Sequence, residues 1–138
     1  MKVKELSILL RNVGNCDLAK IDASKRVKVY KALKALRAVC KDYDENLADA
    51  LRSMMPEGFE VLNEKVQTHQ PMTAEEVKKY NGLLKEYNKT VEDAVKESGD
   101  IEAAPVFEKL NEEEFFACLA GFKSMPDELA EELERVMC

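Results

Sequence analysis

The stretch from Asp22 to Met55 reads DASKRVKVYKALKALRAVCKDYDENLADALRSMM and contains no proline or glycine. Its apolar residues recur at alternating steps of four and three, which is the spacing of a buried stripe along one helix face. The stripe consists of Val29, Leu33, Leu36, Cys40, Tyr43, Leu47, Ala50 and Met54. Asp22 or Ser24 can cap the start, and Pro56 ends the helix because proline disfavours a helical conformation of the residue before it. The sequence therefore predicts one long helix over this stretch.

A second long helix is predicted after Thr73. Thr73 is followed three residues later by Glu76, the spacing of a capping box, and Ser98 and Gly99 mark the end. The apolar stripe between them is Val77, Tyr80, Leu84, Tyr87, Val91 and Ala94. Because a lone amphipathic helix is marginal in water, the two long helices are expected to pack as an antiparallel hairpin whose seam forms the core.

Shorter segments flank this predicted hairpin. Steps of three and four predict a helix over Val3–Val13, which Gly14 and Asn15 end. Cap residues predict two more helices, one after Asn111 and one around Pro126. Residues 100–110 are predicted to be extended. Residues 57–72 stay open. Phe59, Val61, Leu62 and Val66 fit a short helix, or part of residues 66–72 is extended and pairs with residues 100–110 in a small two-stranded β element. The predicted fold is mainly α, with the hairpin and its flanking helices forming a single domain over residues 1–138.

The cysteines and the hydropathy bear on the cellular compartment. Cys16, Cys40, Cys118 and Cys138 are widely separated, which favours free thiols in a reducing compartment. No apolar run reaches the length of a signal peptide or a membrane span. We therefore expect a cytoplasmic protein that does not use a membrane as a partner.

Candidate catalytic and metal-binding residues are sparse. The single histidine, His69, lies in a polar stretch, and the Cys and His residues are too scattered for a zinc site. No glycine-rich phosphate-binding motif and no nucleophile motif occurs. The sequence predicts a protein that is not an enzyme, with no catalytic residues, no metal site and no cofactor.

The charge is distributed unevenly along the chain. Residues 1–41 contain 11 Lys or Arg and 3 Asp or Glu, whereas residues 42–138 contain 10 and 24. The first long helix carries a basic outer face formed by Lys28, Lys31, Lys34, Arg37 and Lys41. Such a face fits contact with phosphates or an acidic protein, or it is a solvated face balanced by the acidic remainder of the chain.

A second candidate surface is aromatic. The segment EEEFFACLAGF presents Phe115, Phe116, Leu119 and Phe122, which either contact a partner or pack onto the hairpin. Abundant helix stripes without site chemistry favour a protein-interaction or assembly protein that binds a protein partner or associates with itself. The alternative is a nucleic-acid-associated accessory or regulatory factor that uses the basic helix face.

The order of segments resembles that of a known class of small proteins. The short opening MKVKELSILLRNV precedes the helix VYKALKALRAVCKDYDENL, and the second helix AEEVKKYNGLLKEYNKTVEDAV precedes the closing piece IEAAPVFEKLNEEEFFACL. This order is similar to that of small helical-hairpin proteins of unknown function encoded by tailed phages and prophages. The resemblance implies a role in virion assembly or host takeover, and it brings no catalytic residues.

Overall fold

The structure is a computed structural model that describes all 138 residues as six α-helices and one 3₁₀ turn, without a β-strand. The helices are α1 (Val3–Val13), α2 (Ala23–Ser53), α3 (Phe59–Gln67), α4 (Ala74–Gly99), α5 (Glu112–Leu119) and α6 (Asp127–Met137). The 3₁₀ turn, Leu18–Lys20, lies between α1 and α2. The predicted mainly helical class is confirmed.

Helix ends follow the predicted cap residues. At the start of α4, the Thr73 N–H donates to Glu76 Oε1 and the Glu76 N–H donates to Thr73 Oγ1, both at 3.1 Å. Asn111 and Glu114 exchange the same pair of bonds at the start of α5, at 2.9 and 2.8 Å. Gly14 follows the last residue of α1 with a φ of 76°, a left-handed conformation that glycine adopts readily. Local chemistry therefore sets these three boundaries.

The chain forms two compact units. The terminal unit comprises Met1–Asp42 and Gly99–Cys138, and the central unit comprises Tyr43–Ser98. Helix α2 contributes residues to both units. The single domain over residues 1–138 stays a prediction.

The terminal unit has a core built from α1, α5, α6 and the first part of α2. Helix α6 packs against α1 and α5, and the Leu110 N–H donates to the Met137 carbonyl oxygen at 2.9 Å. The buried side chains include Val3, Leu6, Leu9, Val13, Val29, Leu33, Leu36, Cys40, Phe115, Cys118, Phe122, Leu133 and Met137. The first half of the α2 stripe is thus buried in this unit, because α1 and α6 bring strongly apolar faces of their own.

The central unit contains the hairpin. Asn46 Nδ2 donates to Ser98 Oγ at 3.5 Å, and the Tyr87 hydroxyl donates to the Leu51 carbonyl oxygen. Because the later residue of α2 pairs with the earlier residue of α4, the two helices run antiparallel here. Phe59 of α3 packs edge-on against the Tyr87 ring, at 5.1 Å between ring centroids. The seam of long helices thus forms the core of this unit.

Three details of the prediction were wrong. The small β element between residues 66–72 and 100–110 does not form. The alternative of a short helix is the one observed, at Phe59–Gln67, and Glu102 bridges to Lys2. Met54 is exposed because α2 ends one residue earlier, at Ser53. In the α4 stripe, Val77 and Ala94 are exposed. A helix of 3.6 residues per turn drifts from a strict repeat of four and three over this length.

Candidate protein-interaction surfaces

Helix α5 divides the predicted aromatic face into buried and exposed parts. Successive helix residues are about 100° apart around the axis, so Phe115 and Phe116 face different directions. Phe115 is buried, and so is Phe122 beyond the helix end. Phe116 is 62% exposed and Leu119 is half-buried. Phe115 and Phe122 therefore belong to the core, and Phe116 and Leu119 belong to the surface.

Phe116 lies in a cleft between α5 and α6, which we call the acidic groove. Its volume is about 370 Å³. The groove is lined by Glu112, Phe115, Phe116, Leu119, Asp127, Ala130, Glu131 and Glu134. On α6 the carboxylates at Asp127, Glu131 and Glu134 recur at steps of four and three, which places them on one face of the helix. The ion pairs of the terminal unit involve none of the four groove carboxylates.

The first part of α2 carries an exposed surface that we call the basic stripe, formed by Val27, Tyr30, Lys31, Lys34 and Arg37. These residues follow one another at helical spacing and are all exposed. Lys34 Nζ lies 5.9 Å from the centroid of the Tyr30 ring, a cation–π contact. No carboxylate pairs with Lys31, Lys34 or Arg37. The stripe therefore combines unneutralised positive charge with exposed apolar surface.

Lys28 and Lys41 differ from the middle of the predicted basic face. Lys28 Nζ lies 2.7 Å from Glu114 Oε1 and 3.5 Å from Glu108 Oε1, and its side chain is only 25% exposed. Lys41 is exposed, near the end of the terminal unit. Within the predicted face, Lys28 thus fastens α2 to α5, whereas the other four residues face solvent.

The Lys28–Glu114 contact shifts both ionisation equilibria. The hydrogen bond from the Asn111 N–H and then the one from Lys28 lower the pKa of the Glu114 carboxyl. The Glu114 hydrogen bond in turn raises the pKa of Lys28. Both groups are therefore held in their charged forms, and the pair is a structural contact between helices.

The start of the basic stripe adjoins a cleft of mixed lining, which includes the charged residues Lys28 and Glu108. Val27 and Lys31 line it from α2, and Val106 and Phe107 line it from the segment before α5. Its volume is about 390 Å³. The Val106 side chain is 92% exposed, which is unusual for a residue of this type. Apolar surface therefore continues beyond Val27 at this end of the stripe.

The thiols and the histidine show no catalytic arrangement. Burial raises the pKa of Cys118 to about 12, and burial also raises the pKa of Cys16. Neither thiol is a thiolate, the nucleophilic form, at neutral pH. His69 lies in the exposed turn after α3. No three His, Cys, Asp or Glu side chains are grouped so as to hold a metal ion.

Comparisons with known proteins add no assignment to these surfaces. No protein-family model, curated protein or solved structure matches the chain. None of the helices combines the length and the apolar character required to cross a membrane. The groove carboxylates were not predicted as site residues. The regular spacing of Asp127, Glu131 and Glu134 was the available signal, but only the packing of α6 beside α5 joins them to Phe116.

Proposed function

We propose that this protein is a non-enzymatic protein-interaction or assembly protein. Its acidic groove binds a cationic, amphipathic helical segment of a protein partner. The observation that carries the proposal is the exposed Phe116 ring among carboxylates that have no basic partner in the chain. Aromatic residues, Phe among them, are enriched in protein–protein interfaces relative to the rest of the protein surface.

The two components of the groove have separate roles in this proposal. Phe116, Leu119 and Ala130 offer apolar surface against which a partner helix loses its contact with water. The carboxylates of Glu131 and Glu134 select lysine or arginine along the edge of that helix. Charge complementarity of this kind contributes to specificity and to the rate of association more than to affinity. A helix laid into a groove is a common mode of peptide recognition.

The family resemblance adds a biological setting to the proposal. A role in virion assembly or host takeover, as the resemblance to small tailed-phage and prophage proteins implies, is compatible with a protein that acts by binding. The groove supplies such chemistry on helices α5 and α6.

The test is a binding titration followed by fluorescence anisotropy. The probes are a synthetic amphipathic peptide of lysine and leucine and a matched peptide of glutamate and leucine. We expect the lysine peptide to bind and the glutamate peptide not to bind. Phe116→Asp should weaken binding roughly 30-fold, the effect of losing about 2 kcal/mol of contact energy at one interface residue.

The matched control is Val61→Asp in the central unit. Val61 is 63% exposed, as Phe116 is, but it lies outside the groove. This variant should bind the lysine peptide like the parent protein. Equal binding of both peptides, or equal affinity of the Phe116→Asp variant and the parent, would contradict the proposal.

A second candidate function rests on the exposed, unpaired basic residues of α2. Lys31, Lys34, Arg37 and Lys41 would contact the phosphates of a nucleic acid, whereas Lys28 is engaged by Glu114. Four phosphate contacts on duplex DNA give a log–log salt slope of roughly −3 to −4. A gel-shift titration at about 50 mM and about 200 mM salt measures that slope. If the double variant Lys31→Glu, Lys34→Glu binds like the parent, or the parent does not bind at the lower salt, this candidate is excluded.

A further inference from the structure

We infer that the groove's occupant is a second copy of this chain, whose basic stripe docks into the acidic groove of the first. The inference rests on the proposed function and names its partner. Both surfaces lie on the terminal unit, and they carry opposite charges. Each contains exposed apolar side chains, with Phe116 on one surface and Val27 and Tyr30 on the other.

Charge complementarity between the two surfaces is the first argument. Residues 24–41 contain seven Lys or Arg and no Asp or Glu. Residues 111–138 contain eight Asp or Glu and two Lys or Arg. Within one copy, Lys25 and Lys28 already pair with Glu113 and Glu114. The remaining charges of both surfaces form no ion pair within one copy. A second copy, which is present in any solution of this protein, carries the opposite charges that would neutralise them.

The dimensions of the two surfaces also agree. Asp127 and Glu134 are seven positions apart on α6, about 10 Å along the helix axis. Lys31 and Arg37 are six positions apart on α2, about 9 Å. Three basic side chains therefore match the length of a row of three carboxylates. Val27 and Tyr30, next to the lysines, provide apolar surface for contact with Phe116.

The two surfaces differ from each other, which determines the kind of assembly. A contact between unlike surfaces is heterologous, so each copy retains one free groove and one free stripe. Association then continues into a ring if the rotation closes, and into an open chain if it does not. A two-fold dimer, in which the same patch meets itself, is not expected.

Sedimentation velocity over a range of protein concentrations tests the inference. A reducing agent is present throughout because Cys138 is exposed and can form an intermolecular disulfide. At about 0.1 M salt the average mass should exceed that of the monomer and rise with concentration. At about 1 M salt, where the screening length falls to about 3 Å, the assembly should dissociate. A monomer at about 0.1 M salt up to about 1 mM protein would overturn the inference.

A mixing experiment identifies the surfaces. The stripe variant Lys31→Glu, Lys34→Glu keeps its groove, and the groove variant Phe116→Asp keeps its stripe. Each variant alone should be monomeric. Mixed in equal amounts, they should form a 1:1 heterodimer, in which the intact stripe of the groove variant docks into the intact groove of the stripe variant. The heterodimer should not grow further, because the two surfaces left unoccupied are the mutated ones. Folding of each variant is checked by circular dichroism, and all three changed residues are exposed.

The outcomes separate this inference from the proposed function. Self-association that both variants retain, or a mixture that stays monomeric, overturns the inference. If the parent protein is monomeric but binds the lysine peptide through Phe116, the groove does not bind a second copy. The inference is then overturned, and the proposed function remains in place. A parent protein that assembles and whose variants complement each other supports both.

Discussion

The cores of the terminal and central units differ in how completely they exclude water. The largest side chains with less than 2% exposure are Leu6, Leu9, Leu36, Leu133, Met137, Val29, Cys40 and Cys118, and all belong to the terminal unit. In the central unit even the best-buried residues, such as Phe59 and Ala50, keep 4–5% of their surface exposed. A side chain surrounded by several helices is enclosed on all sides, whereas a hairpin with one short helix leaves an open edge. The terminal unit, which carries both proposed binding surfaces, is thus the more tightly packed of the two.

The largest expected difference between the units concerns leucine truncation. Leu36→Ala should lower the free energy of unfolding by about 3–5 kcal/mol, because an enclosed side chain leaves a cavity that cannot collapse. Leu62→Ala in the central unit should cost about 2–3 kcal/mol, because solvent and α3 can relax into the space. Urea denaturation of both variants measures the two values. An equal or larger loss for Leu62→Ala would remove the distinction between the cores.

A pair of glycine substitutions extends the comparison to the backbone. A Cβ at Gly121 would clash with Cys16 Sγ and come within 3.1 Å of the Asp17 carbonyl oxygen. Gly121→Ala should therefore lower the free energy of unfolding by about 1–3 kcal/mol. Gly82 in α4 has no such neighbour within 4 Å. Gly82→Ala should raise that free energy by about 0.5–1 kcal/mol, because alanine favours the helix. Thermal unfolding decides the sign of each change.

The hairpin itself is tested by removing one hydroxyl. The Tyr87 hydroxyl donates to the Leu51 carbonyl oxygen and joins α4 to α2 inside the central unit. Tyr87→Phe should cost about 0.5–1.5 kcal/mol in unfolding free energy. Tyr80→Phe, which loses a hydroxyl contact with Asn63 in the same unit, serves as the matched control. A stability unchanged by Tyr87→Phe would show that this bond does not hold the hairpin.

The smallest effect is the pH dependence of the Lys28–Glu114 pair. The folded state lowers the pKa of Glu114, so its contribution is present above the unfolded pKa of that carboxyl and is lost as the pH falls through the folded value. Lys28 has a raised pKa, so its contribution is lost only when the pH rises through that value. Glu114→Gln should lower the Tm at neutral pH and have a diminishing effect toward acid pH. A Tm difference that grows on acidification would contradict this assignment.

The sequence predicted the features that depend on neighbouring residues. The capping pairs Thr73–Glu76 and Asn111–Glu114 act over one turn, so their chemistry is visible in the sequence and sets the helix starts. The burial of Leu36 also follows from local spacing. The choice between a helix near Phe59 and a strand within residues 66–72 stayed open in the sequence, because it depends on a non-local contact, the packing of Phe59 against Tyr87.

The candidate site was less predictable because it is made by packing between helices. The sequence marked Phe115 and Phe116 together, and only the direction in which α5 packs separates the buried ring from the exposed one. In the same way, Lys28 looked like its basic neighbours until Glu114 was brought to 2.7 Å. Glu131 and Glu134 line the groove because α6 packs beside α5. The spacing of residues along a single helix does not predict that packing.

The placement of the cysteines gives the terminal unit a built-in chemical reporter. All four cysteines lie in that unit, none of them in a disulfide bond, and the central unit contains no cysteine. A thiol-specific reagent can modify exposed Cys138 directly, whereas Cys40 and Cys118 react only when the surrounding helices separate. The slow phase of labelling therefore times the opening of the terminal unit alone, without any introduced probe, while local opening of the central unit leaves the signal unchanged.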